Sequence, residues 1–283
     1  MLRNGYECRI MGIPKTIDND LAGTDHCPGY GSAAKYIATS MMEIYRDARV
    51  YDTGMITVVE IMGRNAGWLT AAASLANYKG QGPDLIYLPE VPFYMDKFLD
   101  KVEEIYKEKK KCIVAVSEGI RNRLGRLISD TGKLDSFGHP QLGGLAAILA
   151  KKIQARTGAK VRGIELSLLQ RCAAHCASKT DIEESFNAGK AAVNYAINGT
   201  TDKMVGFKRR YVNGKYKCRI KLFDLSIVAN TEKKIPRSWL NETRDGLNDK
   251  FIKYALPLIQ GETEMTKEDG LPRFVNLKKV KPE

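Results

Sequence analysis

The hydrophobic positions form short apolar runs that alternate with amphipathic stretches over most of the chain. Residues 55–62 are almost continuously apolar and β-branched, which is typical of a strand buried on both faces. Residues 33–46 instead carry apolar side chains at helical spacing. Because strands alternate with helices, the pattern predicts an α/β fold with parallel strands and right-handed crossovers. The other predicted strands are residues 10–13, 84–88, 111–116 and 160–166, and the other predicted helices are residues 68–78, 95–110, 145–156, 180–198 and 247–256.

The pattern changes beyond residue 200. Apolar positions in 204–207 and 216–222 flank the dipeptide Asn213-Gly214, which predicts a β-hairpin. The helix before it is expected to begin at an N-cap formed by Thr180 or Asp181. Residues 121–139 are polar and glycine-containing and predict a loop or hairpin, and residues 224–283 look irregular apart from their one helix.

The most polar short segment, residues 12–20, follows the first apolar run directly and reads G-I-P-K-T-I-D-N-D. Pro14 cannot donate to a sheet ladder, so the strand should end there and the polar residues should form a loop at its carboxyl end. Open α/β sheets bind ligands at that end. An extended segment would group Thr16, Asp18 and Asp20 on one side and Lys15, Ile17 and Asn19 on the other. Such a group of two carboxylates beside a lysine could serve as a base and a metal-facing acid near a phosphate, although a polar loop with Asx-turns is equally compatible with the sequence.

Composition narrows the class of protein. With 283 residues, 43% hydrophobic and 28% charged, the chain predicts an ordinary globular protein with a large core or two domains. No run of about 18 apolar residues or signal-peptide region is present, which predicts no membrane span and a cytoplasmic location. Six cysteines in a chain of this length predict reduced thiols.

The net charge of +12 could indicate an anionic partner. The basic residues are dispersed among acidic and apolar ones, so small anionic substrates are favoured over nucleic acid. The run Cys172-Ala-Ala-His175-Cys176 could suggest a metal site, but no second ligand pair at zinc-site spacing accompanies it. We interpret it as a helix on which Cys172 and Cys176 pack as small apolar residues.

Three motifs in order carry a resemblance to a known family. P-K-T-I-D-N-D at residues 14–20, M-G-R at residues 62–64 and L-L-Q-R at residues 168–171 resemble the phosphofructokinase family, most closely its pyrophosphate-dependent branch. The resemblance implies two Rossmann-like lobes with parallel sheets and a cleft between them. Nothing here matches the family's glycine-rich phosphate loops, so we expect the first lobe to be incomplete at its N-terminus. It would comprise residues 1–30 and 171–225, the second lobe residues 31–170, and a C-terminal segment, 226–283, would pack on the second lobe.

The resemblance also assigns roles within the first motif. Asp18 stands where the family has the base that deprotonates the sugar's 1-hydroxyl, and Asp20 assists close to the metal and phosphates. Thr16 and Ile17 lie at substrate-binding positions. Lys15 accompanies pyrophosphate use because its ammonium neutralises phosphate charge, although some ATP-using relatives also carry a lysine there.

The other two motifs supply substrate contacts. Met62 and Gly63 lie on a strand-to-helix turn, where Gly63 permits close backbone approach and Arg64 could bind a phosphate or keep Asp18 ionised. Arg64 could alternatively pair with Glu60. Glu118 resembles a carboxylate that binds sugar hydroxyls, with a surface glutamate as the alternative.

Arg171 resembles an arginine that binds the 6-phosphate, and Gln170 precedes it in the motif. Arg162 matches a second such arginine, often supplied across a subunit interface, unless it is a solvated strand-edge residue. Leu168 replaces the His or Tyr of many relatives, and Met55 replaces a phosphate-binding arginine, so some contacts must differ.

The implied function is phosphate transfer from pyrophosphate to the 1-hydroxyl of fructose 6-phosphate, with Mg²⁺ as cofactor and a homo-oligomer as the expected assembly. We assign no metal ligand within the chain. The alternatives are an ATP-dependent 6-phosphofructokinase and a catalytically silent sugar-phosphate-binding fragment or regulatory subunit.

Overall fold

The computed structural model describes Gly5 and residues 7–50, 52–130 and 144–280. The part of the predicted 121–139 loop beyond Asp130 therefore lies outside the described residues. The strands are β1 (Met11–Gly12), β2 (Met55–Ile61), β3 (Leu85–Tyr87), β4 (Lys111–Ser117), β5 (Val161–Glu165), β6 (Lys203–Val212), β7 (Lys215–Asp224), β8 (Lys267–Glu268) and β9 (Leu271–Pro272). The helices are α1 (Tyr30–Asp47), α2 (Trp68–Ala72), α3 (Ser74–Asn77), α4 (Met95–Lys109), α5 (Leu145–Thr157), α6 (Leu169–Cys172), α7 (Lys179–Ile197), α8 (Leu225–Val228) and α9 (Asp249–Ala255).

The larger sheet has the strand order β3-β4-β2-β5 and is parallel throughout. Val59 and Ile61 of β2 pack in the core with α1 and α2, while Ile56 and Val58 face α4 and α5. Burial on both faces explains the apolar run at 55–62, and the α/β prediction is confirmed. Ile61 pairs with Ser117, so β2 and β4 end side by side.

Two predicted helices are interrupted. The helix expected at 68–78 divides at Ala73, where the Ser74 hydroxyl donates to Ala71 O at 2.7 Å and competes with the regular backbone bonding. The helix expected through Cys172 and Cys176 is wrong. Helix α6 ends at Cys172, Ala173 leaves helical geometry at ψ 68°, and Cys172 is exposed.

The smaller sheet has the order β1-β6-β7. β1 pairs with β6 in parallel, and β6 pairs with β7 antiparallel across the turn Asn213-Gly214. Both turn residues have positive φ, at 50° and 72°, as a type I′ hairpin turn requires, so the predicted hairpin is confirmed. Helix α7 covers this sheet, with Ala188 and Ala192 packed against Val205 and Phe207.

The N-cap of α7 is Ser178, so the expected Thr180 or Asp181 is wrong. Ser178 Oγ accepts a hydrogen bond from Asp181 N. The Asp181 carboxylate is engaged elsewhere, because it accepts from Gly29 N at 2.8 Å and Ser32 N at 2.9 Å at the start of α1.

The C-terminal region contributes to the main core. Phe251, Tyr254 and Leu258 are buried in the same cluster as α1 residues and Trp68, and the rings of Trp68 and Tyr254 lie 5.2 Å apart. Within the described residues, no helix combines the length and the hydropathy that crossing a bilayer requires.

Candidate active site

The loop after β1 folds back instead of remaining extended. Asp18 N donates to Thr16 Oγ1 at 3.0 Å, and Asn19 adopts a left-handed conformation with φ of 58°. The strict alternation expected of an extended segment therefore does not apply, and polar turns describe this backbone. Thr16 nevertheless lies close to both Asp18 and Asp20. Hydrogen bonding from its side chain lowers the pKa of each of these two carboxyls.

Asn19 anchors this loop in the protein interior. It is fully buried, its Nδ2 donates to the Tyr254 hydroxyl at 2.8 Å, and its Oδ1 accepts from Cys27 N at 3.0 Å. Asn tolerates the left-handed region better than most residues. Its side chain therefore fixes the backbone between the two aspartates, which stay partly buried on either side.

Asp18 lies in a cluster of acidic groups. Burial raises its pKa to about 6, and the like charges of Asp20 and Glu118 add to the rise. Arg171 and the Thr16 hydrogen bond act in the opposite direction. A carboxylate with a pKa near 6 is mainly ionised at neutral pH and is a stronger base than an ordinary aspartate, which suits a proton acceptor.

The turn after β2 connects the carboxyl ends of three segments. Gly63 N donates to Glu118 Oε1 at 3.1 Å, and Met62 N donates to Gln170 Oε1 at 3.2 Å. Gly63 has a φ of 140°, and a Cβ there would lie 2.7 Å from Ala66 O, so only glycine fits. The structure thus brings four predicted site residues, Met62, Gly63, Glu118 and Gln170, into direct contact.

Arg64 is one of the groups that influence the pKa of Glu118. Burial raises the pKa of Glu118, while the Gly63 N–H and the Arg64 charge lower it. Arg171 is the cation that lowers the pKa of Asp18, so the alternative in which Arg64 keeps Asp18 ionised finds no support here. The alternative partner of Arg64, Glu60, accepts a hydrogen bond from Ala146 N at 2.8 Å.

Arg171 and Ile17 line the same small cavity of about 190 Å³. Gln170 and the amino end of α1 at Gly29 complete part of its wall. Arg171 is exposed and carried by the short helix α6, so its guanidinium can reach a ligand from solvent. The first and third sequence motifs therefore meet at one cleft.

Three predicted residues lie at or beyond the margin of this site. Lys15 is exposed next to the loop, and Leu168 is 59% exposed at the start of α6. Arg162 lies at the amino end of β5, ~10 Å along the strand from the carboxyl end, and donates to Asp47 Oδ2 at 3.3 Å. Among the described residues, no contact connects Arg162 with Asp18.

Sequence reasoning missed a segment that holds the loop in place. We define the clamp segment as residues 231–235. Lys233 N donates to Asp20 O at 2.6 Å, and Lys233 Nζ donates to Asn19 Oδ1 at 3.2 Å and Asp25 O at 2.8 Å. Burial lowers the pKa of Lys233 to about 8.

The clamp segment also contacts the turn after β2. Trp68 Nε1 donates to Lys233 O at 2.7 Å, and Asn65 Nδ2 donates to Glu232 Oε1 at 2.7 Å. It therefore joins the Asp18 loop to the Gly63 turn. The sequence there, T-E-K-K-I, has no signal beyond an ordinary polar stretch next to one apolar residue.

Comparisons with known proteins agree with this geometry. Residues 1–196 match the family described as Phosphofructokinase. The chain belongs to the phosphofructokinase family. It is 45% identical over 284 residues to the pyrophosphate--fructose 6-phosphate 1-phosphotransferase of Xanthomonas campestris pv. campestris (strain B100), covering 98% of this chain and 67% of that protein. The enzyme of the same name from Halomonas elongata is 40% identical, with 99% and 67% covered.

A solved structure of this family gives the same result for the fold. The pyrophosphate-dependent phosphofructokinase from Nitrosospira multiformis superposes with a TM-score of 0.86 at 37% identity, covering 98% of this chain and 66% of that one. The chain therefore spans about two thirds of the length of the relatives it matches.

Enzymes of the phosphofructokinase family generally use a divalent metal ion. Such an ion is commonly held by one or two carboxylates together with substrate phosphates, and the acidic groups of this site can provide the carboxylates. Asp18, Asp20 and Glu118 offer carboxylate oxygens close enough for Asp18 to feel the charges of the other two, and hard divalent cations prefer oxygen ligands.

Proposed function

We propose that this chain functions in the transfer of phosphate from pyrophosphate to the 1-hydroxyl of fructose 6-phosphate, which yields fructose 1,6-bisphosphate and orthophosphate. The observation that carries the proposal is the partly buried Asp18 carboxylate, with a pKa of about 6, beside Glu118 and Arg171. The names of the most similar relatives support pyrophosphate as the donor over ATP.

Asp18 acts as the base in this proposal. It accepts the proton of the 1-hydroxyl as the sugar oxygen forms a bond to one phosphorus of pyrophosphate. The bond between that phosphorus and the bridging oxygen breaks, and orthophosphate leaves. Positioning and charge neutralisation account for most of the rate enhancement in such transfers.

Cationic groups are arranged to neutralise the phosphates. Lys15 and Arg64 face the donor, and Arg171 binds the 6-phosphate with its planar guanidinium. Mg²⁺, when bound, neutralises phosphate charge, and Asp20 is the carboxylate that would hold it. Glu118 binds sugar hydroxyls, and the remaining proposed substrate contacts are Thr16, Ile17, Met62, Gly63, Leu168 and Gln170.

The proposed organisation follows from the same resemblance. Residues 1–30 and 171–225 form the phosphate-donor lobe, residues 31–170 the sugar-phosphate lobe, and residues 226–283 pack on the latter. The exposed Arg162 suits a role across a subunit interface, which agrees with the proposed homo-oligomer. We place the protein in the cytoplasm, acting on small substrates without nucleic acid or membrane partners.

A coupled assay tests the proposal. Fructose 1,6-bisphosphate formation is measured with fructose 6-phosphate, Mg²⁺ and either pyrophosphate or ATP. Fructose 6-phosphate binding is measured in parallel. We expect turnover with pyrophosphate, and a loss of about 10²–10⁴-fold in Asp18→Asn with substrate binding retained, because the base is removed but the pocket is not. Asp100→Asn, an exposed change far from the site, is the matched control.

Each other result has a defined meaning. Turnover with ATP alone would identify the wrong donor. Saturable sugar-phosphate binding without turnover from either donor would make the chain a silent binding protein. Near-normal activity of Asp18→Asn would remove Asp18 from the role of base.

A further inference from the structure

A second cluster of reactive side chains lies outside the candidate active site and has no part in the proposed function. His26, Glu184 and Cys218 come from the loop before α1, from α7 and from β7. Their potential ligand atoms all lie within 4.8 Å of one another. His26 Nε2 and Glu184 Oε2 are 2.6 Å apart.

The orientation of His26 is fixed from its other side. Its Nδ1 is 2.8 Å from Asp25 Oδ2, its ring stacks on Phe207 with centroids 4.6 Å apart, and it is only 2% exposed. Asp25 is held in turn by Arg209, with Nη2 at 3.1 Å from Oδ2. Proteins orient metal-binding histidines in this way, with a carboxylate on the ring nitrogen that does not bind the ion. Nε2 is thus directed toward Glu184 and Cys218.

The cluster is accessible from solvent. Glu184 and Cys218 line a cavity of about 700 Å³ between α7 and β7. An ion can enter through this cavity, and a water molecule from it can complete a fourth coordination position. The Tyr216 hydroxyl, which lines the same cavity, donates to Glu184 Oε1 at 3.0 Å and leaves Oε2 to face His26.

We propose that His26, Glu184 and Cys218 bind one Zn²⁺ ion. Imidazole, carboxylate and thiolate together are ligands that zinc accepts, whereas Mg²⁺ prefers oxygen alone. Zinc–ligand bonds of about 2.0–2.3 Å in a tetrahedron place the ligand atoms about 3.3–3.6 Å apart. Shifts of about 1 Å from the present positions therefore suffice.

The carboxylates around His26 would offset the charge of the ion. Asp25 and Glu184 place carboxylate oxygens 2.8 Å and 2.6 Å from the two ring nitrogens of His26, and Arg209 pairs with Asp25. Zinc would bind imidazole and thiolate, so any proton on His26 Nε2 and the proton of the Cys218 thiol would leave to solvent.

Binding would fasten together three elements that are distant in sequence. His26 precedes α1, Glu184 lies in the first turns of α7, and Cys218 lies in the middle of β7. The ion would therefore stabilise the packing of α7 on the smaller sheet, and zinc should raise the melting temperature of the metal-stripped protein.

Cobalt spectroscopy tests this site without requiring enzymatic activity. The untagged chain is reduced, stripped of metal with a chelator and titrated with Co²⁺, and Zn²⁺ is then used to displace it. We expect one equivalent to bind with a thiolate-to-cobalt absorption band. Cys218→Ser should lose the band. Cys172→Ser, which changes an exposed cysteine outside the cluster, should keep it.

Glu184→Gln provides a second variant that retains the thiol. It should keep the band but bind at least 10-fold more weakly. The proposal is overturned if the wild-type chain shows no thiolate band, if the band persists in Cys218→Ser, or if it disappears in Cys172→Ser. None of these results depends on the phosphotransferase assay, so failure of this site and failure of the proposed function remain distinguishable.

Discussion

Asp18 shows how one side chain's environment sets its chemistry. Its carboxyl is partly buried and lies near two further acids, while Arg171 and the Thr16 hydrogen bond act against the effect of these acids on its pKa. The protein pays for this arrangement in stability, because an ionised carboxylate is less favourable there than in the unfolded chain. The same feature makes the group a better proton acceptor at neutral pH.

We predict that Asp18→Asn stabilises the protein at pH 8 and that this gain disappears toward pH 4. The folded pKa of about 6 lies above the ordinary value of 3.8, so the folded state binds more protons between these values. The contribution of Asp18 to stability therefore falls as pH rises through this window, and the variant removes that loss. Thermal unfolding at several pH values measures the difference.

Asp52→Asn is the control here, since that side chain is exposed and no ion pair with it is found among the described residues. The change in melting temperature that it causes should vary much less between pH 4 and pH 8 than the change caused by Asp18→Asn. A difference between Asp18→Asn and wild type that is the same at pH 4 and pH 8 would contradict the raised pKa.

Single residues of the site were predictable where a motif contained them. Gly63 and Glu118 follow β2 and β4, neighbouring parallel strands whose carboxyl ends lie side by side, so their contact could be expected. Asp18 follows β1 of the other sheet, and only the family resemblance indicated that it lies near them. Asn19 and Asp181 were not predictable in their roles. Their importance depends on buried hydrogen bonds to Tyr254 and Gly29, residues far away in sequence, which no local pattern encodes.

At the scale of elements, the clamp segment is the unexpected component. It pairs with the end of the loop that carries Asp18 through an isolated antiparallel bridge between Leu21 and Glu232. It forms no strand or helix of its own, so periodicity gave no indication of it. The longer elements were predicted to within a few residues, because burial on one or both faces leaves a direct pattern in the sequence. The expectation of one helix in residues 224–283 was incomplete, because the short elements α8, β8 and β9 also lie there.

We predict that Lys233→Met destabilises the protein by about 1–2 kcal/mol, because it removes the hydrogen bonds of a buried ammonium to Asn19 Oδ1 and Asp25 O, which then keep Cys27 N and the Tyr254 hydroxyl as donors. Lys234→Met is the matched control. Lys234 is 57% exposed and lies 4.0 Å from Glu232, so its loss should change stability by no more than about 0.5 kcal/mol. Urea unfolding of the two variants gives both values.

The comparison between neighbouring lysines is direct, since the two changes are chemically identical. Equal effects of Lys233→Met and Lys234→Met would mean that the clamp segment does not hold the loop through the ammonium group.

At the scale of the whole molecule, the C-terminal region divides into two parts. Phe251, Tyr254 and Leu258 belong to the main core, whereas Phe274 and Leu277 are largely exposed. The sequence predicted the helix near residue 250 but could not show which of the flanking apolar residues find partners. The partners of Phe251 and Tyr254 lie in α1 and at Trp68, about 180 residues or more away in sequence.

We predict that a chain ending at Asn230 fails to fold cooperatively, whereas a chain ending at Glu262 keeps a melting temperature within about 2 °C of the original. Removing each large buried side chain costs about 3–5 kcal/mol, and several such losses exceed a typical total stability. Near-ultraviolet circular dichroism and thermal melts compare the two. Cooperative unfolding of the shorter chain would show that the C-terminal region is dispensable for the core.

The parallel pairing of β1 with β6 has a consequence for the order of events during synthesis. Ile10 N donates to Thr201 Oγ1 across 191 residues, so β1 can pair with β6 only after residues 203–212 have left the ribosome. Contacts of such long range form late and slowly, while the four-stranded sheet can assemble earlier. The loop that carries Asp18 should therefore be among the last parts of a newly made molecule to become ordered, and chaperones would meet it in an unfinished state.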